Sequence, residues 1–178
     1  MNTICLAGGC FWGLQKFFDQ FDGLKTETGY ANGNGDSVTY TQVCAGSGHA
    51  EALMIEYPNT IELPQILAAY FAAVDPVSVN RQGNDIGINY RTGIYYQYQW
   101  QEQIAKKMLE DLQTHFDQPI AIELTRLANF CPAEEYHQKY LDKNPNGYCH
   151  LPRPLLSGHR LPTMQEVFEA YPSLKTIL

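Results

Sequence analysis

The chain has 178 residues, a formal net charge of −7 and a pI near 5.1, so it offers no basic surface for nucleic acid or for an anionic membrane. No apolar run has the length of a membrane span, and the opening MNTICLAGG does not have the pattern of a secretory signal. Its five cysteines are widely spaced and form no C-x-x-C pair, which favours a reducing, cytoplasmic compartment over a disulfide framework or a zinc site.

The first two predicted elements meet at a cysteine. Residues 3–7 (TICLA) are apolar and β-prone, and Leu14, Phe17, Phe18 and Phe21 follow at helical spacing. Cys10, in GGCFWG, is therefore expected where a strand passes into a helix. The N–H groups of a helix start favour a thiolate, so Cys10 is a candidate nucleophile. A packed cysteine in a tight turn is the alternative.

Strands and helices continue to alternate along the chain. Further strands are predicted over 51–57, 92–98 and 119–124. Further helices are predicted from Leu63 to just before Pro76, over 100–116 and over 132–141. This alternation indicates a sandwich of helices on a sheet.

The composition of the chain changes after Asn144, where half of its ten prolines occur. This composition predicts an irregular tail that winds over a surface and can move. Thr163 and Glu166 form the pattern of a capping box, which predicts one last short helix.

Three loops rich in glycine and polar residues are predicted over 28–40, 44–51 and 80–93. Taken singly, each is explained as a turn. His49 and Glu51 would then be solvated polar residues, and Asp85 would bond to its own backbone.

Together with GGCFWG, the loops match a known family. The chain resembles the methionine sulfoxide reductase A family, which reduces the S epimer of methionine sulfoxide. The likeness covers about residues 3 to 150, in family order. It is carried by GGCFWG (8–13), TGYANG (28–33), VTYTQVCAGSGHAEAL (38–53), DPVSVNRQGNDIGINYRTGIYY (75–96), AEEYHQKYL (133–141) and NPNGYC (144–149).

The resemblance implies a role for each matching residue. Cys10 attacks the sulfoxide sulfur, and Glu51 is the acid that protonates the sulfoxide oxygen. Tyr30 and Tyr90 hydrogen-bond that oxygen, and Asp85 organises the site.

The substrate-binding group implied by the resemblance has three members. Phe11 and Trp12 form an apolar wall for the substrate methyl group. His49 belongs to the group in a structural or supporting role.

The resemblance also implies that Cys149 resolves the sulfenic acid left on Cys10. The resulting disulfide is then reduced by thioredoxin, or by dithiothreitol in the test tube. No further cysteine follows Cys149, so a two-cysteine cycle is expected. Cys131 is a second candidate for the resolving thiol, and Cys5 and Cys44 are expected to be buried small residues. No metal, flavin or nicotinamide is required.

The implied fold is α+β: a two-layer sandwich with a mixed, mostly antiparallel sheet, a ferredoxin-like core and a long irregular C-terminal tail. Residues 1–150 form the catalytic domain, and residues 151–178 are an extension packed on it. A cytoplasmic monomer that repairs oxidised proteins or reduces the free amino-acid sulfoxide is expected.

Two other classes of function fit parts of the sequence. A cysteine hydrolase would use Cys10, His49 and Asp85 as nucleophile, base and orienting acid. A non-catalytic module would bind methyl-thioether groups in an aromatic pocket, with no need of Cys149.

Overall fold

The computed structural model describes residues 1–178. Its eight strands are β1 (Asn2–Ala7), β2 (Lys25–Ala31), β3 (Ala50–Tyr57), β4 (Arg81–Gln82), β5 (Asp85–Ile86), β6 (Gly93–Tyr96), β7 (Glu123–Arg126) and β8 (Phe130–Pro132). Its six α-helices are α1 (Phe11–Asp19), α2 (Tyr40–Cys44), α3 (Leu63–Ala73), α4 (Gln99–Gln113), α5 (Tyr140–Lys143) and α6 (Met164–Ala170). Short 3-10 turns cover Ile88–Tyr90, Glu135–His137, Arg153–Leu156 and Pro172–Thr176.

Six strands form one mixed sheet in the order β7-β6-β1-β3-β2-β8. Neighbouring strands run antiparallel, except that β6 and β7 are parallel. Strands β4 and β5 form a separate two-stranded hairpin. The mixed α+β architecture predicted from the sequence is confirmed.

The main core lies on the sheet face that carries Ile4 and Leu6, where the predicted stripes of α1, α3 and α4 are buried. Cys5 and Ala7 point to the opposite face, because side chains alternate along a strand. No helix of the structure has the length and apolar character required to cross a membrane.

The C-terminal segment contributes to the same core. Leu151, Leu156, Val167 and Leu174 are buried in one cluster with the apolar residues of the sheet and of α1. The last helix, α6, begins as predicted: the Thr163 hydroxyl accepts from the Glu166 N–H at 3.1 Å, and the Glu166 carboxylate accepts from the Thr163 N–H at 3.0 Å.

Two element predictions are wrong in position. The strand predicted over 119–124 forms over Glu123–Arg126 instead, where it pairs with β6. Pro119 has no N–H to donate to a sheet. The helix predicted over 132–141 divides into a 3-10 turn and α5, because Lys139 takes a left-handed conformation (φ 55°) between them.

The predicted loop 28–40 contains regular structure at both ends. Its first residues, Thr28–Ala31, belong to β2 and pair with β3, and its last residue, Tyr40, begins α2. The glycine and polar residues of this segment predicted a loop. The strand was missed because its buried residues are small or hydrogen-bonded instead of forming an apolar alternation.

Tyr70 links the start of the Gly8–Gly9 loop to the sheet. Its ring is fully buried, and its hydroxyl donates to the Ala7 carbonyl at 2.6 Å and accepts from the Gly93 N–H at 3.2 Å. Ala7 and Gly93 are opposite each other on β1 and β6. The hydroxyl therefore satisfies two backbone groups at the point where β1 leaves the sheet.

Replacing Tyr70 with Phe leaves these two buried backbone groups without their partner. We expect Tyr70→Phe to lower the free energy of unfolding by about 1–3 kcal/mol in urea titrations. Tyr98→Phe is the matched control: that tyrosine is 57% exposed, and the same change there should cost less than about 0.5 kcal/mol. Equal losses for the two variants would contradict this account.

Candidate active site

Cys10 lies at the junction between β1 and α1, as predicted. It is the N-cap residue of α1, with extended backbone (φ −61°, ψ 126°). The chain turns sharply just before it, because Gly9 has φ +77°, a conformation that favours glycine. The Gly9 N–H donates to the Tyr90 carbonyl at 3.2 Å, which holds the junction against the 3-10 turn at 88–90.

The carboxyl of Glu51 reaches this junction from β3. Its Oε1 accepts from the Phe11 N–H at 3.2 Å, and its Oε2 accepts from the Asn89 amide at 3.5 Å. Glu51 is only 1% exposed. Burial raises the pKa of Glu51 to about 8, although the Phe11 and Asn89 donors favour the ionised form. At neutral pH this side chain is a carboxylic acid with a proton to donate.

The Cys10 thiol is also buried, at 7% exposed. Burial, together with the charge that Glu51 can carry, raises the pKa of Cys10 well above its usual range. The Trp12 N–H opposes this shift, as expected at a helix start, but it is the weaker effect. Cys10 is therefore a neutral thiol in the resting site, and the thiolate predicted from its helix position has to be formed when substrate arrives.

The aromatic residues after Cys10 take different positions. Phe11 is 1% exposed and packs between the rings of Tyr30 (5.6 Å) and His137 (5.1 Å). Trp12 is partly exposed, stacks on Tyr140 at 3.6 Å, and donates from Nε1 to His137 Nδ1 at 3.0 Å. The indole is thus fixed in orientation, and it packs against the cluster that contains Cys10.

The two predicted tyrosines differ in their surroundings. Tyr30 is fully buried, and its hydroxyl donates to Glu134 Oε1 at 2.8 Å. Tyr90 is half-buried, and burial and the charges of Glu51 and Cys10 raise its pKa.

A third tyrosine, Tyr40, lies in the same cluster as Cys10 and Tyr90. Burial, with smaller effects of Cys44, Tyr90 and Glu51, raises the pKa of Tyr40. Its backbone N–H donates to Glu134 Oε2 at 3.0 Å, so Glu134 connects Tyr30 to the start of α2.

His49 is fully buried, and both of its ring nitrogens are engaged. Nδ1 lies 2.8 Å from the Ser47 hydroxyl, and Nε2 lies 2.8 Å from the Gly35 carbonyl. The ring thus connects the loops before and after α2 and has no nitrogen left for a thiol. The hydrolase alternative requires such a base beside Cys10.

Asp85, on β5, faces the site with a buried Oδ2 atom that has no hydrogen-bond partner. Its charge acts on Cys10, Glu51 and Cys149, in each case raising their pKa values.

Cys149 lies close to Cys10 along α1. A β-carbon built on Gly13, which is one helical turn beyond Cys10, would be 3.0 Å from the Cys149 sulfur. Cys131 is on β8, paired with Tyr30 of β2, and its thiol faces the Val38 carbonyl at 3.5 Å. Cys5 is buried, but the prediction that Cys44 is buried is wrong: Cys44 ends the short helix α2 and is exposed.

Several residues of this site were not predicted from the sequence: Tyr40, Glu134, His137 and His150. Tyr40 belongs to the family-like segment VTYTQVC, and Glu134 and His137 belong to AEEYHQKYL, so the resemblance could have identified all three as site residues. His150 follows directly after NPNGYC, outside the matching segments, and nothing in the sequence indicated it. No group of three His, Cys, Asp or Glu side chains is arranged to hold a metal ion.

A buried thiol beside a neutral carboxylic acid, with phenols and a second thiol within the same site, defines a thiol-dependent oxidoreductase. A family model described as peptide methionine sulfoxide reductase matches residues 2–164. Peptide methionine sulfoxide reductase MsrA of Clostridium acetobutylicum is 50% identical over 162 residues, covering 89% of this chain and all of that protein. The protein of the same name from Lachnoclostridium phytofermentans is 52% identical over 153 residues, covering 84% of this chain and 92% of that protein.

Solved structures also match this fold. The crystal structure of Mxr1 from Saccharomyces cerevisiae in reduced form matches with a TM-score of 0.80 at 36% identity, covering 91% of this chain and 92% of that one. Mxr1 in complex with Trx2 matches in fold, with a TM-score of 0.56 at 23% identity over 78% of this chain and 84% of that one. The chain belongs to the peptide methionine sulfoxide reductase family, which confirms the resemblance found in its motifs.

The pKa of Glu51 makes stability depend on pH. Because it lies near 8 in the folded protein and its ordinary value is 4.5, the folded state holds one more proton between these two values. The stability that neutral Glu51 provides is complete below the lower value. It is lost as pH rises to the upper one, by at most about 1.4 kcal/mol per pH unit.

We therefore expect Glu51→Gln to gain stability relative to the wild type as pH rises from about 5 to about 8, with no further gain above. Urea titrations of both proteins across this range measure the difference. A difference that stays constant with pH would contradict a neutral Glu51.

Proposed function

We propose that this chain reduces methionine-S-sulfoxide, free or within proteins, to methionine. The Cys10 sulfur attacks the sulfoxide sulfur and ends as a sulfenic acid, so that the oxygen moves from one sulfur to the other. The substrate sulfur gains the two electrons that the cysteine sulfur loses, and no metal or organic cofactor takes part. The observation that carries this proposal is the contact of a buried, neutral Glu51 with the first turn of α1, next to Cys10.

Glu51 supplies the proton that the sulfoxide oxygen needs. A protonated oxygen makes the sulfur more electrophilic, and the resulting carboxylate is stabilised by the Phe11 N–H and the Asn89 amide. In the same encounter the Cys10 proton passes to the Glu51 carboxylate, so Glu51 is neutral again and the sulfenic acid carries the proton that Glu51 gave. The raised pKa of both groups keeps them neutral until a substrate couples the two transfers.

The phenols that hold the oxygen are proposed to be Tyr40 and Tyr90. Both are half-buried members of the cluster around Cys10, and their pKa values respond to Glu51. The Tyr30 hydroxyl is engaged with Glu134, which supports a positioning role for Tyr30 instead of the direct role expected from the motif. Trp12 is proposed as the wall for the methyl group, with Phe11 beneath it.

Cys149 is proposed as the resolving thiol. Its sulfur packs against Gly13, one turn from Cys10, where any larger side chain would displace it. Attack on the sulfenic acid gives a Cys10–Cys149 disulfide and water. A thioredoxin is the proposed reductant, since Mxr1, 36% identical to this chain in its reduced form, is also known in complex with Trx2.

The proposal also includes a ferredoxin-like core, a C-terminal extension, a cytoplasmic location and a monomeric state. The strand order β6-β1-β3-β2 with antiparallel neighbours supports a ferredoxin-like core. Residues 151–178 are proposed to be an extension of the catalytic domain 1–150, since they share its core. Five unpaired cysteines support a reducing, cytoplasmic location, and a monomer is proposed.

The two-cysteine cycle predicts different losses for its two thiols. With thioredoxin as the reductant, Cys10→Ser should form no methionine, and Cys149→Ser should form about one equivalent per enzyme and then stop. Cys44→Ser and Cys131→Ser are the matched controls and should turn over as the wild type does. Full turnover by Cys10→Ser would exclude the proposed nucleophile, and loss in Cys131→Ser would move the resolving role to that residue.

The assignment of the phenols has its own test. Tyr40→Phe should slow the single-turnover formation of methionine by about 10-fold or more, because it removes a donor to the developing charge on oxygen. Tyr30→Phe should slow it less, with a loss of stability instead, because the half-buried carboxylate of Glu134 loses a donor. The reverse order of the two rate effects would restore the direct role of Tyr30.

A further inference from the structure

His150 is a buried base that no step above uses. Its side chain is 2% exposed, and neither of its ring nitrogens has a hydrogen-bond partner. An unsatisfied buried imidazole carries a cost in stability, so its retention calls for an explanation.

The ring lies across the backbone that carries Cys10. A β-carbon on Gly9 would be 2.8 Å from His150 Nε2, and a β-carbon on Gly13 would be 3.0 Å from His150 Nδ1. The same point on Gly13 is 3.0 Å from the Cys149 sulfur, so Nδ1 and this sulfur are at most about 6 Å apart. Two glycines, one before and one after Cys10, therefore make room for this imidazole next to the resolving thiol.

A carboxylate faces the same nitrogen. His150 Nδ1 is 3.9 Å from Asp85 Oδ2, which is also buried and also has no hydrogen-bond partner. This distance is too long for a hydrogen bond and short enough for a strong attraction once the imidazole is charged. The His150 imidazole can therefore accept a proton during a reaction, and the Asp85 carboxylate then stabilises the positive charge.

The resolving step requires such a group. Burial raises the pKa of Cys149, so at neutral pH it is a thiol and a weak nucleophile. Burial also lowers the pKa of His150, with Asp85 opposing, so the imidazole is neutral and able to accept.

We propose that His150 accepts the proton of the Cys149 thiol during disulfide formation and that Asp85 stabilises the imidazolium. This inference rests on the resolving role proposed for Cys149. The Cys149 sulfur then attacks the Cys10 sulfur, an S–S bond forms, and the S–O bond of the sulfenic acid breaks. The imidazolium returns its proton to the departing hydroxide, which leaves as water. The Cys149 sulfur is oxidised and the Cys10 sulfur is reduced, with no other reagent.

The titratable and charged groups around this proton transfer come from three elements: Asp85 of β5, Cys10 at the start of α1, and Tyr148, Cys149 and Arg153 of the C-terminal segment. We therefore expect the rate of disulfide formation to fall at low pH as His150, under the influence of Asp85, becomes protonated. At high pH the rate should follow the ionisation of the thiols.

The test isolates the resolving step in the full-length protein. All variants carry Cys44→Ser and Cys131→Ser, so that these more accessible thiols do not consume the oxidant. Cys10 is then converted to its sulfenic acid with one equivalent of hydrogen peroxide, and disulfide formation is followed by rapid quenching at a series of pH values. His150→Gln and His150→Ala should slow this step about 100-fold. The rate should then rise with pH only as the Cys149 thiol ionises, and added imidazole should restore part of it to His150→Ala. His115→Ala, which removes an exposed imidazole, should match the wild type.

A wild-type rate and pH profile in His150→Gln would overturn the proposal, whether or not His150→Ala folds well. The single-turnover formation of methionine from the sulfoxide by the wild type reports separately on the proposed function. If the wild type forms no methionine but resolves the peroxide-generated sulfenic acid through His150, the proposed substrate is wrong and the inference stands.

Discussion

The site depends on one buried contact: the Glu51 carboxyl, carried by β3, meets the Phe11 N–H at the first turn of α1, at 3.2 Å. A helix start attracts negative charge, while burial resists it. Here burial is the larger effect and keeps the carboxyl neutral at physiological pH. The fold then has to bring the end of β1 and the start of β3 together, and it does so because the two strands pair antiparallel with Ala7 opposite Ala52.

The same balance governs the sulfur chemistry. Burial raises the pKa values of both Cys10 and Cys149, so both are thiols at rest. Each therefore needs a partner that moves a proton at the right moment. In the cycle proposed above, Glu51 and the phenols serve the first step, and the pair of His150 and Asp85 serves the second, on the side of Gly13. The proposed steps thus use separate proton carriers around one sulfur atom.

The sequence predicted the elements whose signals are local. The apolar stripes of α1, α3 and α4, the capping box of α6 and the strand-to-helix junction at Cys10 are all present. Elements that depend on distant partners were missed. The end of β2 runs into a glycine-rich segment and pairs with β3 and β8. β7 forms after Pro119, in parallel register with β6. Position within a motif could not show that the Tyr30 hydroxyl is engaged, because its acceptor, Glu134, is 104 residues away along the chain.

The protonation of Glu51 is the central claim, and infrared difference spectroscopy measures it most directly. The spectrum of the wild type minus that of Glu51→Gln at neutral pH should contain the carbonyl stretch of a buried carboxylic acid. That band should give way to carboxylate bands as pH is raised through about 8. Carboxylate bands alone at neutral pH would show that Glu51 is already ionised, and the account of proton donation to the sulfoxide oxygen would then be wrong.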